Sequence, residues 1–331
     1  MKNIATVILA AGKSSRFKHN KSKIYQDLAG KSIIEHIYEV ANKISNNIIF
    51  VCNKDNKTNL ITLFPKAKFV IQHKQKGTAD AILQAKKFLV NKKVLILFAD
   101  APLISISSIK KLILNFKKNK SIGSMIAFKS KNPFGYGRVL IEGKFVLKVI
   151  EELNTSKAQK KINLCNSGVM LCNANLLFKN ISKISNKNKK KEKYLPDIFN
   201  IFSKLNKNFT YIISSEEEML GVNSIKDLIK IDKVYQNLLK ERIIKNGVIF
   251  INPQTTRLSY DTKIKKGAII ESNVIFNKGV TINNNVKIKS YTVLEGCKID
   301  YNSTVGPSAR IRPLTVIGKN SKVGNYVEIK N

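Results

Sequence analysis

No apolar run in this 331-residue chain approaches the roughly 20 residues that a membrane-spanning helix requires. The apolar residues Ile4–Leu9 run directly into Gly12, Lys13 and Arg16, without the features of a cleaved export signal. We therefore expect Ile4–Leu9 to form a buried first strand and the protein to be cytoplasmic.

Cysteine and histidine are also scarce. The cysteines are scattered along the chain without the paired spacing of zinc ligands: Cys52, Cys165, Cys172 and Cys297. Buried thiols are therefore favoured over disulfides or a zinc site. The histidines are His19, His36 and His73. So few imidazoles fit a reaction that needs no histidine as an acid or base.

Arginine is rare although the chain is strongly basic, with a formal net charge of +37. The arginines are Arg16, Arg138, Arg242, Arg257, Arg310 and Arg312, and the other basic residues are lysines spread along the chain. Proteins that bind nucleic acids use arginine, as well as lysine, for bidentate contacts with bases and phosphates. A solvated lysine surface is therefore favoured over a nucleic-acid-binding face, although the charge can still attract anionic nucleotides.

Short apolar runs alternate with helix-like segments over the first two thirds of the chain, a pattern typical of a wound, mainly parallel α/β sheet. Strands are predicted at residues 4–9, 47–51, 68–71, 94–98, 124–128, 169–171 and 209–213, and helices at 32–41 and 78–88. The lysine-rich stretch 186–193 is predicted to be a solvated loop. Helical spacing of apolar residues over 224–245 predicts a connecting helix. The expected domains are residues 1–223 and 247–331, joined by a linker helix over 224–246.

After this helix, apolar residues recur at every sixth position. The two series are Ile264, Ile270, Phe276, Ile282, Ile288 and Leu294, and, after a shift of one residue, Ile299, Val305, Ile311, Ile317, Val323 and Ile329. An α-helix does not place every sixth residue on one face, and a plain strand alternates every second residue. The six-residue period predicts a hexapeptide-repeat β-helix.

Two segments carry residue types suited to binding a nucleotide. The first runs from Leu9 to Gly12 and is followed by Arg16 and Lys23, two cations placed to hold a triphosphate beside small residues that allow close backbone approach. A plain tight turn at Gly12 is the alternative. The spacing matches neither a Walker loop nor a dinucleotide-binding fingerprint.

The second segment is a buried-strand run that ends at Asp100. Ligands bind outside the carboxyl ends of strands in wound sheets, so this carboxylate is a candidate ligand for Mg²⁺. A helix-capping aspartate before Pro102 is the alternative interpretation.

These segments resemble the sugar-phosphate nucleotidyltransferase family. The matching motifs are Leu9-Ala10-Ala11-Gly12 with Arg16 and Lys23, Gln72 with Gly77-Thr78-Ala79, Asp100-Ala101-Pro102-Leu103, Gly135-Tyr136-Gly137-Arg138, Glu151, Asn166-Ser167-Gly168 and Gly221-Val222-Asn223. Together with the repeats they are similar to the bacterial bifunctional N-acetylglucosamine-1-phosphate uridylyltransferase/glucosamine-1-phosphate acetyltransferase family. The resemblance spans essentially the whole chain and implies a left-handed β-helix, a homotrimer formed through it, and a role in peptidoglycan synthesis.

The resemblance also implies roles for single residues. The residues implied to hold UTP are Leu9, Ala10, Ala11, Gly12, Gln72, Gly77 and Thr78, flanked by Phe98 and Ala99. Arg16 and Lys23 would neutralise the triphosphate and the leaving pyrophosphate, and Asp100 and Asn223 would hold Mg²⁺. The residues implied to bind N-acetylglucosamine 1-phosphate are Gly137, Glu151 and Asn166. Taken singly, Asn166 and Asn223 are equally compatible with turns, and Glu151 with a surface carboxylate.

The chain departs from the family pattern at a few positions. Phe98 stands where relatives commonly have tyrosine, Ala99 and Ser14 replace glycines, and Ser22 replaces a proline. None of these changes removes a charged group, so we expect uridylyltransferase activity to be retained.

The end of the chain departs further. Arg312 and Lys330 match the sugar-phosphate contacts of the family's acetyltransferase site, but the sequence given stops before the histidine that serves as the base. We therefore expect no acetyl transfer by the chain as given. The alternatives to the main prediction are a nucleotidyltransferase for another sugar 1-phosphate and a non-catalytic nucleotide-sugar-binding scaffold.

Overall fold

The computed structural model describes residues 3–12, 17, 22–188 and 190–330. It divides into two compact units, which span residues 1–25 with 33–227, and residues 26–32 with 228–331. No helix in the described ranges is both long enough and apolar enough to cross a membrane.

The first eleven strands of the chain comprise the nine strands of the sheet in the first unit and the separate pair β2 and β3. They are β1 (Ile4–Leu9), β2 (Asp27–Leu28), β3 (Lys31–Ser32), β4 (Ile48–Cys52), β5 (Lys68–Ile71), β6 (Lys93–Phe98), β7 (Gly123–Lys129), β8 (Arg138–Glu142), β9 (Phe145–Ile150), β10 (Leu164–Asn173) and β11 (Phe209–Ser214). The helices are α1 (Ile33–Asn42), α2 (Lys54–Leu63), α3 (Thr78–Gln84), α4 (Ile106–Lys118), α5 (Lys157–Lys160), α6 (Ala174–Asn180), α7 (Asp197–Lys204) and α8 (Ile225–Ile244).

Nine strands form one sheet in the order β5-β4-β1-β6-β10-β7-β11-β9-β8. Strands β1, β4, β5 and β6 are parallel to one another, and β10 runs antiparallel between β6 and β7. The predicted wound, mainly parallel sheet is therefore confirmed. The antiparallel pair β8 and β9 was not predicted, because both strands are partly exposed and neither contains a continuous buried apolar run.

The sheet is covered on both faces, which explains why every residue of β1 except Thr6 is apolar. Ala5, Val7 and Leu9 point into a core shared with α3, α6 and α7. Ile4 and Ile8 point into a second core shared with α1, α2 and α4. Alternate residues of a strand face opposite sides, so a strand between two helical layers needs apolar residues at every position.

The repeats of the second unit form the predicted β-helix. Thirteen two-residue strands, β12 to β24, make three parallel sheets: β12-β14-β17-β20-β23, β13-β16-β19-β22 and β15-β18-β21-β24. Their bounds are Ile249–Phe250, Lys263–Ile264, Ile269–Ile270, Ile275–Phe276, Thr281–Ile282, Lys287–Ile288, Val293–Leu294, Lys298–Ile299, Thr304–Val305, Arg310–Ile311, Val316–Ile317, Lys322–Val323 and Glu328–Ile329. From β13 to β21, each strand therefore pairs with the strand three hexads further along the chain, whereas β12 pairs with β14.

The core of the β-helix consists of the residues of the six-residue series. Lys263 pairs with Thr281 and Thr281 pairs with Lys298. The second step is one residue shorter, which is the shift seen between Leu294 and Ile299. From Ile264 to Ile317 the series is buried, whereas Val323 and Ile329 are partly exposed.

The corners of the β-helix use residues with left-handed backbone conformations. Asn285, Asn302 and Asn320 have φ values of 57–58° and lie one above another. Asn285 donates to the side-chain oxygen of Asn302, and Asn302 donates to that of Asn320, both at 3.3 Å. Asparagine tolerates this conformation better than other residues with side chains, apart from aspartate, which explains the abundance of Asn among the repeats.

All four cysteines are buried free thiols, as predicted. Burial raises the pKa of Cys165 and of Cys297 to about 11 and that of Cys172 to about 12. Thiols in such surroundings remain protonated and unreactive at neutral pH.

Candidate active site

The segment that follows β1 forms one wall of a cavity of about 250 Å³ in the first unit. The cavity is lined by most of the predicted nucleotide-binding residues: Leu9, Ala10, Ala11, Gly12, Lys23, Gln72, Gly77, Thr78, Phe98, Ala99 and Asp100. A Cβ atom added at Gly12 would meet no atom of the described residues within 4 Å, so the packing of those residues does not require glycine there. The small residue instead leaves open space beside the cavity.

Amide side chains hold this segment in place. Asn56 donates to the Ala10 carbonyl at 2.7 Å, and Gln75 donates to the Ala11 carbonyl at 3.4 Å. The Ala10 N–H donates to Val51, and the Ala99 N–H donates to the Leu9 carbonyl, so the loops after β1 and β6 are joined. The wall of the cavity is therefore fixed by the sheet on one side and by α2 on the other.

Gly77 is the N-cap residue of α3 and lines another side of the cavity. Its φ of 103° lies in a region that residues with side chains rarely adopt, and an added Cβ would overlap the backbone of Lys193. The Thr78 hydroxyl accepts a hydrogen bond from the Leu195 N–H at 2.9 Å. Gln72 is 4% exposed and donates to the Gly77 carbonyl at 3.0 Å.

The chain segment that packs on Gly77 corrects one expectation. Residues 186–193 were predicted to be a solvated loop, but Glu192 lines the cavity together with Tyr194. The Lys193 N–H donates to the Lys76 carbonyl, and the Lys193 carbonyl accepts from the Ala79 N–H. The lysine-rich composition hid these contacts, since they are made largely by the backbone. Glu192, Tyr194 and Gln75 are lining residues that sequence analysis missed.

Three predicted residues from distant parts of the sequence meet at the edge of the cavity. The Lys23 ammonium forms a short ion pair with the Asp100 carboxylate and donates to the Asn223 side-chain oxygen at 3.3 Å. The Val222 N–H donates to the Asp100 carbonyl at 2.8 Å, which holds the two segments together. The helix-capping alternative for Asp100 does not apply, because α4 is capped by the side chain of Ser105.

The donor set at this edge suits a divalent cation. One carboxylate oxygen, from Asp100, and one amide oxygen, from Asn223, both contact the Lys23 ammonium group, so the two oxygens lie close to the same cation. Mg²⁺ is commonly held by one or two carboxylates together with substrate phosphates and water. Among the described residues no group of three or more His, Cys, Asp or Glu side chains gathers elsewhere as an alternative metal site.

The predicted sugar-binding residues form a second group, none of which lines the cavity. The Asn166 N–H donates to the Gly137 carbonyl at 2.9 Å, and an added Cβ at Gly137 would lie 3.6 Å from the Glu151 carboxylate. Asn166 lies at a bulge in β10, where its side chain also accepts from the Gly168 N–H at 2.9 Å. Gly168 in turn packs so closely on Phe98 that a Cβ would overlap the ring. The two groups are thus connected through Phe98.

Glu151 lies in surroundings that favour its neutral form. Burial raises the pKa of the Glu151 carboxyl, the charge of Asp197 raises it further, and Lys190 opposes the change. Burial also raises the pKa of Tyr194, and the charges of Glu192, Glu151 and Asp197 add to this effect. Tyr194 therefore lines the cavity and is close enough to Glu151 for its pKa to respond to that charge.

Arg138 connects the two segments that carry Gly137 and Glu151. It is 1% exposed, and its guanidinium pairs with Glu152 at 2.8 Å and donates to the Tyr136 carbonyl. This pair fixes the loop that carries Gly137 against the turn that follows Glu151. Arg138 therefore acts as a buried structural residue of the motif.

Two further predicted site residues lie in the second unit, and a third is not among the described residues. Arg16, one of the two proposed triphosphate cations, falls outside the described residues. Arg312 lies on the β-helix, where its guanidinium is 3.6 Å from the Glu328 carboxylate. Lys330 is exposed near the end of the chain.

Comparisons with known proteins address the family of the chain. The family model of the MobA-like NTP transferase domain matches residues 6–164. A bifunctional protein GlmU from Paramagnetospirillum magneticum is 33% identical over 99% of this chain and 74% of its own length. The GlmU proteins of Buchnera aphidicola and Campylobacter fetus are 35% and 34% identical, over 99% and 100% of this chain and 76% of their own lengths.

A solved structure gives the same picture of the fold. The chain superposes on a crystal structure described as that of a candidate glucose-1-phosphate thymidylyltransferase from Bacillus anthracis with a TM-score of 0.58. The two share 15% sequence identity, and the match covers 70% of this chain and 94% of the other. At this identity the likeness supports the architecture alone.

Proposed function

Because the chain belongs to the family of bifunctional GlmU proteins, we propose that it is a uridylyltransferase. It forms UDP-N-acetylglucosamine and pyrophosphate from UTP and N-acetylglucosamine 1-phosphate, and the product supplies peptidoglycan synthesis. The observation that carries this proposal is the convergence of Lys23, Asp100 and Asn223 at the edge of a cavity lined by the small residues after β1. We further propose the cytoplasm as the site of the reaction, since both substrates are phosphorylated metabolites.

In the nucleotide half of the site, small residues and amides recognise the base. Ala10, Ala11 and Gly12 leave room for uracil, and Gln72 and Thr78 border the same space. Arg16 and Lys23 face the triphosphate. Phe98 and Ala99 close the cavity at the end of β6 without offering it any charge.

In the sugar half of the site, Gly137, Glu151 and Asn166 bind the N-acetylglucosamine group. The absence of a side chain at Gly137 leaves the backbone accessible beside the Glu151 carboxylate. The Glu151 carboxyl group, whose pKa is raised by burial, has oxygens that can accept hydrogen bonds from sugar hydroxyls.

Asp100 and Asn223 are the proposed ligands of Mg²⁺. When bound, the metal ion neutralises charge on the phosphates and orients them. The Lys23 ammonium, which contacts both ligands, is then free to turn toward the phosphates.

The reaction needs positioning and charge neutralisation more than acid–base chemistry. The phosphate of the sugar substrate is already an anionic nucleophile and attacks the α-phosphate of UTP in line with the leaving pyrophosphate. Lys23 and Arg16 stabilise the negative charge that develops on the phosphates. A general base is not required, which agrees with the scarcity of histidine.

The β-helix is the proposed site of assembly into a homotrimer. Large apolar side chains are exposed on its later coils, including Leu314 at 75%, Val316 at 65% and Tyr326 at 83%. Exposed apolar groups of this size favour a protein interface. Arg312 and Lys330 are the proposed sugar-phosphate contacts of the family's second activity. We also propose that residues 1–223, 224–246 and 247–331 act as catalytic domain, linker and assembly domain.

The proposal is tested by following pyrophosphate release from UTP, N-acetylglucosamine 1-phosphate and Mg²⁺. We expect release to need both substrates, to stop when the metal is chelated, and to fall about 100-fold or more in Asp100→Ala. Asp55→Ala is the matched control, because Asp55 is an exposed carboxylate in the first turn of α2, outside the cavity.

The outcomes separate the alternatives. Release with a different nucleotide or sugar phosphate, but not with this pair, would keep the nucleotidyltransferase and overturn its substrates. No release with any pair, together with retained binding of UDP-N-acetylglucosamine, would instead favour a non-catalytic scaffold.

A further inference from the structure

A buried lysine in the second unit has no partner for its charge. Lys240 lies on α8 and is 6% exposed, between Leu239 and the buried Ile243. Within the described residues its ammonium makes no hydrogen bond or ion pair. Gln236, one turn earlier, is equally buried but is fully engaged by the Leu258 backbone, at 2.9 Å to the N–H and 2.8 Å to the carbonyl. A buried charge without a counter-charge is costly, so its retention calls for an explanation.

The side chain of Lys240 lines a polar cavity of about 540 Å³. The other lining residues are Asp232, Lys233, Gln236, Asn237, Gln254, Thr255, Thr256 and Arg257. Every one of them carries a charge, an amide or a hydroxyl group. None of them lines the nucleotide cavity, so the two cavities are built from separate residues.

The charges around this cavity are unbalanced. Arg257 donates to both carboxylate oxygens of Asp232, at 2.9 and 3.1 Å, in a bidentate pair that engages the only acidic residue in the lining. Lys233 and Lys240 therefore remain as two uncompensated positive charges. Burial lowers the pKa of Lys240, and the charge of Arg257 lowers it further against the opposing effect of Asp232. The charged form of Lys240 is therefore disfavoured in the free cavity, and a bound anion would stabilise it.

We infer that this cavity binds the phosphate group of a small phosphorylated molecule, with Lys240 as the principal contact and Lys233, Arg257 and the Thr255 hydroxyl around it. A phosphate dianion matches the two uncompensated charges, and its several oxygens can accept from ammonium, guanidinium and hydroxyl groups together. The volume lies in the range of small-molecule sites. The ligand is thus either free phosphate or a phosphate ester, and both present the same group to Lys240.

The test is calorimetric titration of the whole chain with inorganic phosphate, a sugar monophosphate and acetate. We compare the wild type with Lys240→Met, which keeps the apolar length of the side chain, and with Lys240→Arg, which keeps the charge. Lys230→Met is the matched control, because Lys230 is an exposed lysine of α8 outside the cavity. We expect Lys240→Met to lose one phosphate site, with affinity reduced at least 10-fold, and Lys240→Arg and Lys230→Met to keep it.

A second measurement separates loss of binding from a general effect on folding. Anion binding raises the lowered pKa of Lys240, so in a buffer alkaline enough to deprotonate part of the free lysine the wild type takes up protons on binding, and the heat depends on the ionisation enthalpy of the buffer. Lys240→Met should lack this dependence while the thermal unfolding of the free protein stays cooperative.

The outcomes are decisive in both directions. Tighter binding of the sugar monophosphate than of inorganic phosphate would identify an ester as the ligand, and equal affinity would show that the phosphate group alone is recognised. Identical titrations of the wild type and Lys240→Met would overturn the proposal. Acetate binding as tightly as phosphate would overturn the assignment to phosphate.

Discussion

Single residues decide the shape of the nucleotide cavity, and two glycines do so for different reasons. Gly77 is required by its backbone, since its φ is positive and the Lys193 backbone leaves no room for a Cβ atom. Gly12 has an open space around it and is required only if a ligand comes close. The sequence shows both as glycines in motifs, but only the coordinates separate the two causes.

This difference predicts that alanine at Gly77 lowers stability, whereas alanine at Gly12 weakens binding of UTP. Gly77→Ala should lower the free energy of unfolding by about 1–3 kcal/mol, because the backbone must leave its strained conformation and displace residue 193. Gly12→Ala should change it by less than about 0.5 kcal/mol but raise the KM for UTP. Urea unfolding and steady-state kinetics on both variants check the prediction, and equal stability of the two would contradict it.

The thiol of Cys172 predicts a dependence of stability on pH. Its pKa is about 12 in the folded protein and about 9 in an exposed chain. The unfolded state therefore loses this proton first as the pH rises, and the stabilisation present below pH 9 is lost between pH 9 and 12, by up to about 1.4 kcal/mol per pH unit.

Cys172→Ala isolates this contribution from that of the lysines. The variant should be less stable than the wild type by a constant amount at pH 7–8, because a small cavity remains. Its free energy of unfolding should then fall less steeply than that of the wild type above pH 9. Urea unfolding in the presence of a reductant at pH 8, 9, 10 and 11 measures both slopes, and parallel curves would rule the explanation out.

At the scale of secondary structure elements, the β-helix is the part of the fold that could be predicted most completely from the sequence. Each wall is two residues long and each coil repeats after three walls, so one buried residue per hexad is enough to define the register. Ile288 is fully buried at the centre of a coil, whereas Ile275 is 38% exposed on a neighbouring wall.

We predict that Ile288→Ala costs about 2–5 kcal/mol and Ile275→Ala less than about 1 kcal/mol. The same atoms are removed in both variants, so only burial differs. Thermal or urea unfolding of the two variants provides the measurement. Similar losses would mean that Ile275 is buried in an assembly.

Other elements were harder to predict because their residues face two environments. The strands β8 and β9 are five and six residues long and mix buried with exposed positions without a regular alternation, so their sequences show no distinct strand pattern. The segment that ends at Lys193 has the composition of a solvated loop, yet its backbone supports Gly77. Backbone contacts of this kind leave no trace in the choice of side chains.

At the scale of the whole molecule, the exposed apolar residues of the β-helix predict self-association. We expect a particle of about three times the 37.3 kDa of one chain, measured by light scattering or sedimentation. Leu314→Lys should lower the association constant by placing a charge in the interface. Leu114→Lys is the control, since Leu114 is 65% exposed on α4 in the first unit. A monomer at micromolar concentration, or an equal effect of both variants, would refute assembly through the β-helix.

The amino-acid sequence by itself determined the two architectures and the family, because period and motif spacing are local properties of a chain. The six-residue series, the apolar run of β1 and the motifs around Gly12 and Asp100 needed no coordinates. Tertiary structure decided which side chains meet: Lys23 with Asp100 and Asn223, Tyr194 beside Glu151, and Lys240 beside Arg257. These partners are separated by up to 200 residues or by different periodic elements, and only the packing of those elements brings their charges together.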